Sequence, residues 1–193
     1  MGAEEWLRRI QPKERQSDIG MAHVLVLQIG KDGGLNMKIT SNQFETGEWM
    51  PDLLSGYGEN KSPEIIIEGL PKETVSIAIT MDDLDHPIKP GFNHWIAWNI
   101  EPVCRIPGNL PKGAMIDEPI YAEQGLGYGR HCYKGPKPPF KSMHRYAITV
   151  YALDKKLRLG KNSRKKDLIK AIEEHVLDES EIIGKYQRGR RLI

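Results

Sequence analysis

Three short segments of this 193-residue chain concentrate side chains able to do chemistry. The first, Asp82-Asp83-Leu84-Asp85-His86-Pro87, follows an apolar run and sets three carboxylates and an imidazole before a proline that forces a turn. Carboxylates so close repel one another unless a cation, an array of donors or water spreads their charge. Equally, Asp side chains in such a turn bond neighbouring backbone N–H groups. The second, Phe92-Asn93-His94-Trp95-Ile96-Ala97-Trp98-Asn99, puts a histidine at the mouth of an apolar run. On a strand, strict alternation places His94, Ile96 and Trp98 on one face and Trp95, Ala97 and Asn99 on the other. The third, Gly135-Pro136-Lys137-Pro138-Pro139 followed by Met143-His144-Arg145-Tyr146, is a stiff proline loop that delivers another histidine to the start of a long run. Either histidine, taken singly, reads as structural, and Arg145 as one half of an ion pair. Together, two imidazoles near their reference pKa of about 6.5 can offer N–H groups to an anionic oxygen, while a carboxylate orients one of them or holds an amine. The chemistry expected is anion binding that strengthens as pH falls.

Each segment stands at the end of a β-like run, where loops converge and clefts form. Hydrophobic residues make up 39% of the chain and charged residues 28%, enough apolar material for a core, while 19 glycines and 13 prolines favour turns over a long-helix bundle. Strands are expected over 23–29, 36–40, 64–68, 75–81, 94–100 and 145–153. The runs VSIAITM and RYAITVYAL are apolar on both faces, which suits central strands covered on each side. No strand alternates with a helix of crossover length, so the expected fold is mainly β, an antiparallel Greek-key β-sandwich of two sheets. From about residue 164, Leu168, Ile169, Ile172, Val176, Leu177, Ile182, Ile183 and Tyr186 recur at helical spacing, predicting a C-terminal helical segment over 164–187. Asp178 and Glu181 could cap a second helix within it. Residues 1–20 read as an N-terminal arm with a short amphipathic helix over 4–10, and 21–193 as a single domain.

Several function classes lose support. No apolar run reaches the roughly 18 residues that span a bilayer, and the first twenty residues lack a signal core, so the cytoplasm is the expected compartment. Cys104 and Cys132 lack zinc-ligand spacing and are expected as free thiols. Net charge is +2, yet Lys155, Lys156, Arg158, Lys161, Arg164, Lys165 and Lys166 crowd one acid-free stretch. No aromatic residues are interleaved there, so nucleic acid is not the expected partner. No G-x-S-x-G turn supports a serine hydrolase. The enzymatic alternative is a divalent metal held by Asp83, Asp85, His94 and His144; otherwise no cofactor is expected.

The segments KSPEIIIEGLP, SIAITMDDLDHP, FNHWIAWNI, GPKPP and HRYAITVYAL, in that order, resemble the phosphatidylethanolamine-binding protein family in its bacterial and archaeal, Raf kinase inhibitor-like branch. The similarity runs from about Asn36 to Arg188, and HVLDESEIIGKYQR resembles the closing helix of prokaryotic members. The resemblance implies an antiparallel sandwich with a small pocket for phosphate and similar anions. It carries the acidic turn onto Asp83, Asp85 and Pro87, the strand histidine onto His94, the second histidine and its tyrosine onto His144 and Tyr146, and the Gly-Pro loop onto Gly135 and Pro136. Leu84 and His86 replace the usual proline and alanine of the turn, so His86 could add a third imidazole. A non-catalytic binding or regulatory protein is implied, whose partner is a phosphorylated small molecule, a lipid head group or a phosphorylated protein segment. Inhibition of kinases or serine proteases varies between branches, and homodimers occur among prokaryotic relatives. A third reading leaves the pocket vestigial and gives the contacts to the C-terminal segment and the basic stretch.

Overall fold

The computed structural model describes residues 36–190; the helix expected over 4–10 and the strand expected over 23–29 lie outside them. Nine strands are present among the described residues: β1 (Lys38–Thr40), β2 (Ile65–Glu68), β3 (Ser76–Asp83), β4 (Phe92–Ile100), β5 (Arg105–Ile106), β6 (Met115–Ile116), β7 (Ala122–Gln124), β8 (Met143–Leu153) and β9 (Val176–Gln187). They form a small sheet in the order β1-β2-β5 and a large one in the order β6-β7-β4-β3-β8-β9. Every pairing between them is antiparallel. Within the large sheet the run β8-β3-β4-β7 has the 4-1-2-3 order of a Greek key.

The central strands are apolar on both faces because both faces are covered. All eight residues of β3 are buried. Ile77, Ile79 and Met81 join Ile65, Ile67, Ile148 and Val150 in the core between the sheets. Ala78 instead joins Ile96, Trp98 and Leu153 in a second cluster, closed by Leu168 and Ile172 of helix α1 (Lys165–Ile172). Each fully buried aliphatic side chain of this kind contributes about 1.5–3 kcal/mol, so these two residues are what hold the eight-residue helix against the sheet. The helix begins where the Asp167 carboxylate accepts the Arg164 backbone N–H at 2.8 Å.

The expected helical segment over 164–187 is corrected: the helix ends at Ile172 and Val176–Gln187 is a strand. On β9, Ile182, Gly184 and Tyr186 are the buried residues, a period of two, but the middle one has no side chain. An apolar count therefore sees only Ile182, Ile183 and Tyr186, whose spacing also fits a helix. Asp178 caps nothing; its carboxylate accepts the Met37 N–H at 2.6 Å. Glu181 accepts the Thr149 hydroxyl at 3.2 Å.

The outer edge of β9 is occupied. Gly47 donates to Ile183 O at 2.7 Å, Met50 to Lys185 O at 2.8 Å, and Lys185 N to Glu48 O at 2.8 Å, while Ile39 N reaches the Ser180 hydroxyl. The basic stretch is partly structural, since Lys165 pairs with Asp82 and Lys156 lies over the Tyr121 ring. Cys104 and Cys132 are free thiols. No helix among the described residues is long and apolar enough to cross a membrane.

Candidate functional site

The acidic turn and the two histidine segments meet at one end of the large sheet. Asp83 is the last residue of β3, with β4 on one side and β8 on the other: it pairs with Phe92 and with Tyr146. That position puts His144 within reach, and its Nδ1–H donates to both carboxylate oxygens of Asp83, at 2.8 and 3.0 Å. On the other side His94 Nε2 stands 3.9 Å from Asp83 Oδ2. All three side chains are buried.

His94 does not share a face with Ile96 and Trp98, as strict alternation required. Met81 pairs with Trp95 but Asp82 with Asn93, so His94 is an extra residue in β4. This bulge turns the imidazole away from the helix side of the sheet and toward Asp83. Ile96 and Trp98, beyond the bulge, pack under the helix as described.

The hydrogen bonds fix both rings. The Nδ1–H of His94 donates to the Lys134 carbonyl at 2.8 Å, because a carbonyl can only accept. The neutral ring therefore carries a bare lone pair at Nε2, while His144 commits its Nδ1 to Asp83 and leaves Nε2 uncommitted. Neither Nε2 makes a hydrogen bond among the described residues. Phe92, Tyr128 and Tyr146 stand edge-on around His94, with centroids 5.8, 5.0 and 5.3 Å away. This desolvation holds the His94 pKa below 6.5, against the opposing pull of the Lys134 carbonyl and of Asp83. The Tyr146 hydroxyl is buried and makes no hydrogen bond of good geometry among the described residues, although the Asp83 carboxylate and the Lys137 backbone stand close to it. Burial, reinforced by Asp83, pushes its pKa upward, so the O–H remains a donor.

The other expected residues are placed as follows. Asp85 is clamped by Arg145, whose Nε and Nη2 reach its two carboxylate oxygens at 2.9 and 2.7 Å and whose backbone N–H adds a third bond at 2.8 Å. The guanidinium holds the Asp85 carboxyl below the usual range. Pro87 is exposed in the β3–β4 loop, and His86 stacks on Phe92 at 4.8 Å instead of joining the two inner imidazoles. Gly135 and Pro136 are buried against the loop that follows Pro51. A Cβ on Gly135 would come within 1.9 Å of the Leu54 carbonyl oxygen, so only glycine allows this approach. The Gly135 N–H donates to Asn60 Oδ1, and Pro136 O accepts from Gly56 N. These contacts hold the Lys134 carbonyl where His94 needs it.

The metal-ligand arrangement is not assembled. Asp85 is turned to Arg145, both oxygens of Asp83 face His144, and no group of three or more His, Cys, Asp or Glu side chains among the described residues is set to hold an ion.

The model of the phosphatidylethanolamine-binding protein family matches residues 40–187. The chain belongs to that family. A UPF0098 protein of Pyrococcus horikoshii is 39% identical over 175 residues, covering 88% of each chain. One from Archaeoglobus fulgidus is 42% identical over 147 residues, covering 76% of this chain and 50% of its own. Among solved structures, a phosphatidylethanolamine-binding protein homologue from Chlamydia trachomatis superposes with a TM-score of 0.71 at 30% identity, over 79% of this chain and 98% of its own. The Escherichia coli protein YbcL, described as a member of the mammalian family, does so with the same TM-score and coverage at 28% identity.

Within this family member, sequence reasoning did not identify Lys134, Tyr128 or Asn60 as parts of the site. Lys134 acts through its carbonyl and Asn60 through one bond to a glycine, so neither leaves a side-chain pattern. Tyr128, an aromatic residue between Gly127 and Gly129, was the one signal available.

Proposed function

We propose that this chain is a non-catalytic binding protein whose Asp83, His94, His144 and Tyr146 take a small anion, a phosphate or the phosphorylated head group of a larger ligand. The observation that carries the reading is the state of the polar groups. Two buried imidazoles each have one nitrogen committed and one uncommitted, and a buried tyrosine hydroxyl beside them lacks a partner. A buried hydroxyl left open in this way loses free energy until something bonds it. An anion supplies acceptors for Tyr146 O–H and for the N–H that His94 gains on protonation. Asp83 would repel an anion facing a neutral His94 ring, so binding comes with proton uptake there. Family membership and the missing metal-ligand arrangement support binding over hydrolysis.

The test is calorimetric titration with inorganic phosphate and phosphoethanolamine, using the native chain and a His94→Asn/His144→Asn variant shown by circular dichroism to be folded. Saturable binding to the native chain that the variant loses is the expected result. Equal binding by both, or none by the native chain, would remove the pocket from consideration.

A further inference from the structure

Beside the histidines opens a cavity of about 490 Å³, lined by Arg130, Lys134 and Lys137 together with Tyr128, Asn60 and Gly135. Among the described residues no carboxylate lines it. Lys134 is half-buried and Arg130 and Lys137 are exposed, and among the described residues none of the three has an acidic partner within 4.0 Å, whereas Asp82, Asp83 and Asp85 each have a basic partner. One of these cations shares an aromatic ring with a further one: Lys137 Nζ and the Arg188 guanidinium both lie over the Tyr57 ring, 5.5 and 4.6 Å from its centroid. Converging like charges destabilise the folded chain and are relieved by a counter-charge.

The cavity is joined to the histidine cluster by shared residues. Lys134 lines it and gives its carbonyl to His94, Tyr128 lines it and packs edge-on against the same ring, and Gly135 belongs to both. Its volume falls within the roughly 300–1,000 Å³ of small-molecule sites and exceeds what one inorganic anion fills.

Resting on the anion-pocket reading above, we infer that the ligand is a small molecule with two anionic groups, one held by the His94, His144 and Tyr146 donors and the second by Arg130, Lys134 and Lys137. A zwitterionic head group such as phosphoethanolamine places its ammonium near these cations, and is disfavoured. A phosphate ester that also bears a carboxylate, or a diphosphate, matches the charge pattern.

Calorimetry at low ionic strength tests this with four probes: inorganic phosphate, phosphoethanolamine, 3-phosphoglycerate and pyrophosphate. The native chain is compared with Arg130→Gln/Lys137→Gln, whose exposed side chains are replaceable without disturbing the Lys134 carbonyl. The expected result is that 3-phosphoglycerate or pyrophosphate binds at least about tenfold more tightly than phosphoethanolamine, and that the variant brings this ratio close to one. A dianion no tighter than phosphoethanolamine overturns the inference, as does a preference that survives in the variant. The His94→Asn/His144→Asn chain separates the two readings. If it keeps a dianion affinity that Arg130 and Lys137 control, the cationic cavity stands and the histidine pocket falls; if no probe binds the native chain, both fall.

Discussion

Asp82 and Asp83 are adjacent on β3 and face opposite sides of the same sheet. Asp82 bonds Lys165 of the helix at 2.7 Å, and Asp83 bonds His144 at 2.8 Å on the other face. Alternation along a strand thus separates two carboxylates that appear crowded in the sequence, and each acquires its own partner. Asp82 also accepts from Asn93 Nδ2 at 3.1 Å.

Removing Lys165 would leave the buried Asp82 with that single donor. Lys165→Met is expected to destabilise the fold by roughly 2 kcal/mol, below the full cost of breaking a buried pair because the lysine side chain is 35% exposed. Adding Asp82→Asn should recover most of the loss, and urea denaturation of the two singles and the double reads the coupling. Strictly additive effects would show that the pair contributes nothing as a pair.

Tyr146 offers a separation of stability from binding. Because its buried hydroxyl has no partner among the described residues, Tyr146→Phe should leave stability unchanged or raise it by about 1 kcal/mol. The same change should weaken phosphate binding by about tenfold, the value of one hydrogen bond to a charged group. Thermal melts and titration of one preparation measure both effects; a stability loss above about 2 kcal/mol would mean that the hydroxyl has a structural bond.

The depressed His94 pKa makes stability depend on pH with a definite sign. Between the folded value and 6.5 the unfolded chain binds a proton that the folded chain refuses, so stability is full above about 6.5 and declines as pH falls below it. An anion that bonds protonated His94 opposes this decline. Phosphate should therefore raise Tm more at about pH 5.5 than at about pH 7.5, and His94→Asn should abolish the difference. Equal phosphate shifts at both pH values would contradict the assignment.

Gly135 is expected to tolerate no side chain. Gly135→Ala sets a Cβ against the Leu54 carbonyl and should cost roughly 3 kcal/mol. It should also weaken phosphate binding, since the displaced loop carries the Lys134 carbonyl that holds His94. Chemical denaturation and titration check the two consequences; a variant of native stability would show that the loop moves freely.

The three long central strands were legible because they are long and apolar on both faces; β3, β4 and β8 fall within two residues of where hydrophobic runs put them. The short strands β5, β6 and β7, of two or three residues each, have too few positions to show a period, and β9 hides its alternation behind Gly184. The candidate site was legible in its residue types. Its geometry was not, because it depends on a bulge at His94, a register that alternation from Trp95 onward does not reveal. The cationic cavity went unseen since Arg130, Lys134 and Lys137 are unremarkable one by one and converge only through the loop that Asn60 and Gly135 fasten.

The hydrogen bonds along the outside of β9 bear on self-association. A sheet edge with unpaired amides invites another chain to add a strand, but here Gly47, Glu48 and Met50 already bond the backbone of Ile183 and Lys185, and Met37 and Ile39 lie against that side through the Asp178 and Ser180 side chains. Among the described residues the opposite edge of the large sheet is the two-residue β6, too short to template a stable ladder. A homodimer built on the large sheet would accordingly have to form through side-chain packing, and its strength should follow substitutions of exposed residues such as Met115 or Leu177 more than changes in backbone pairing.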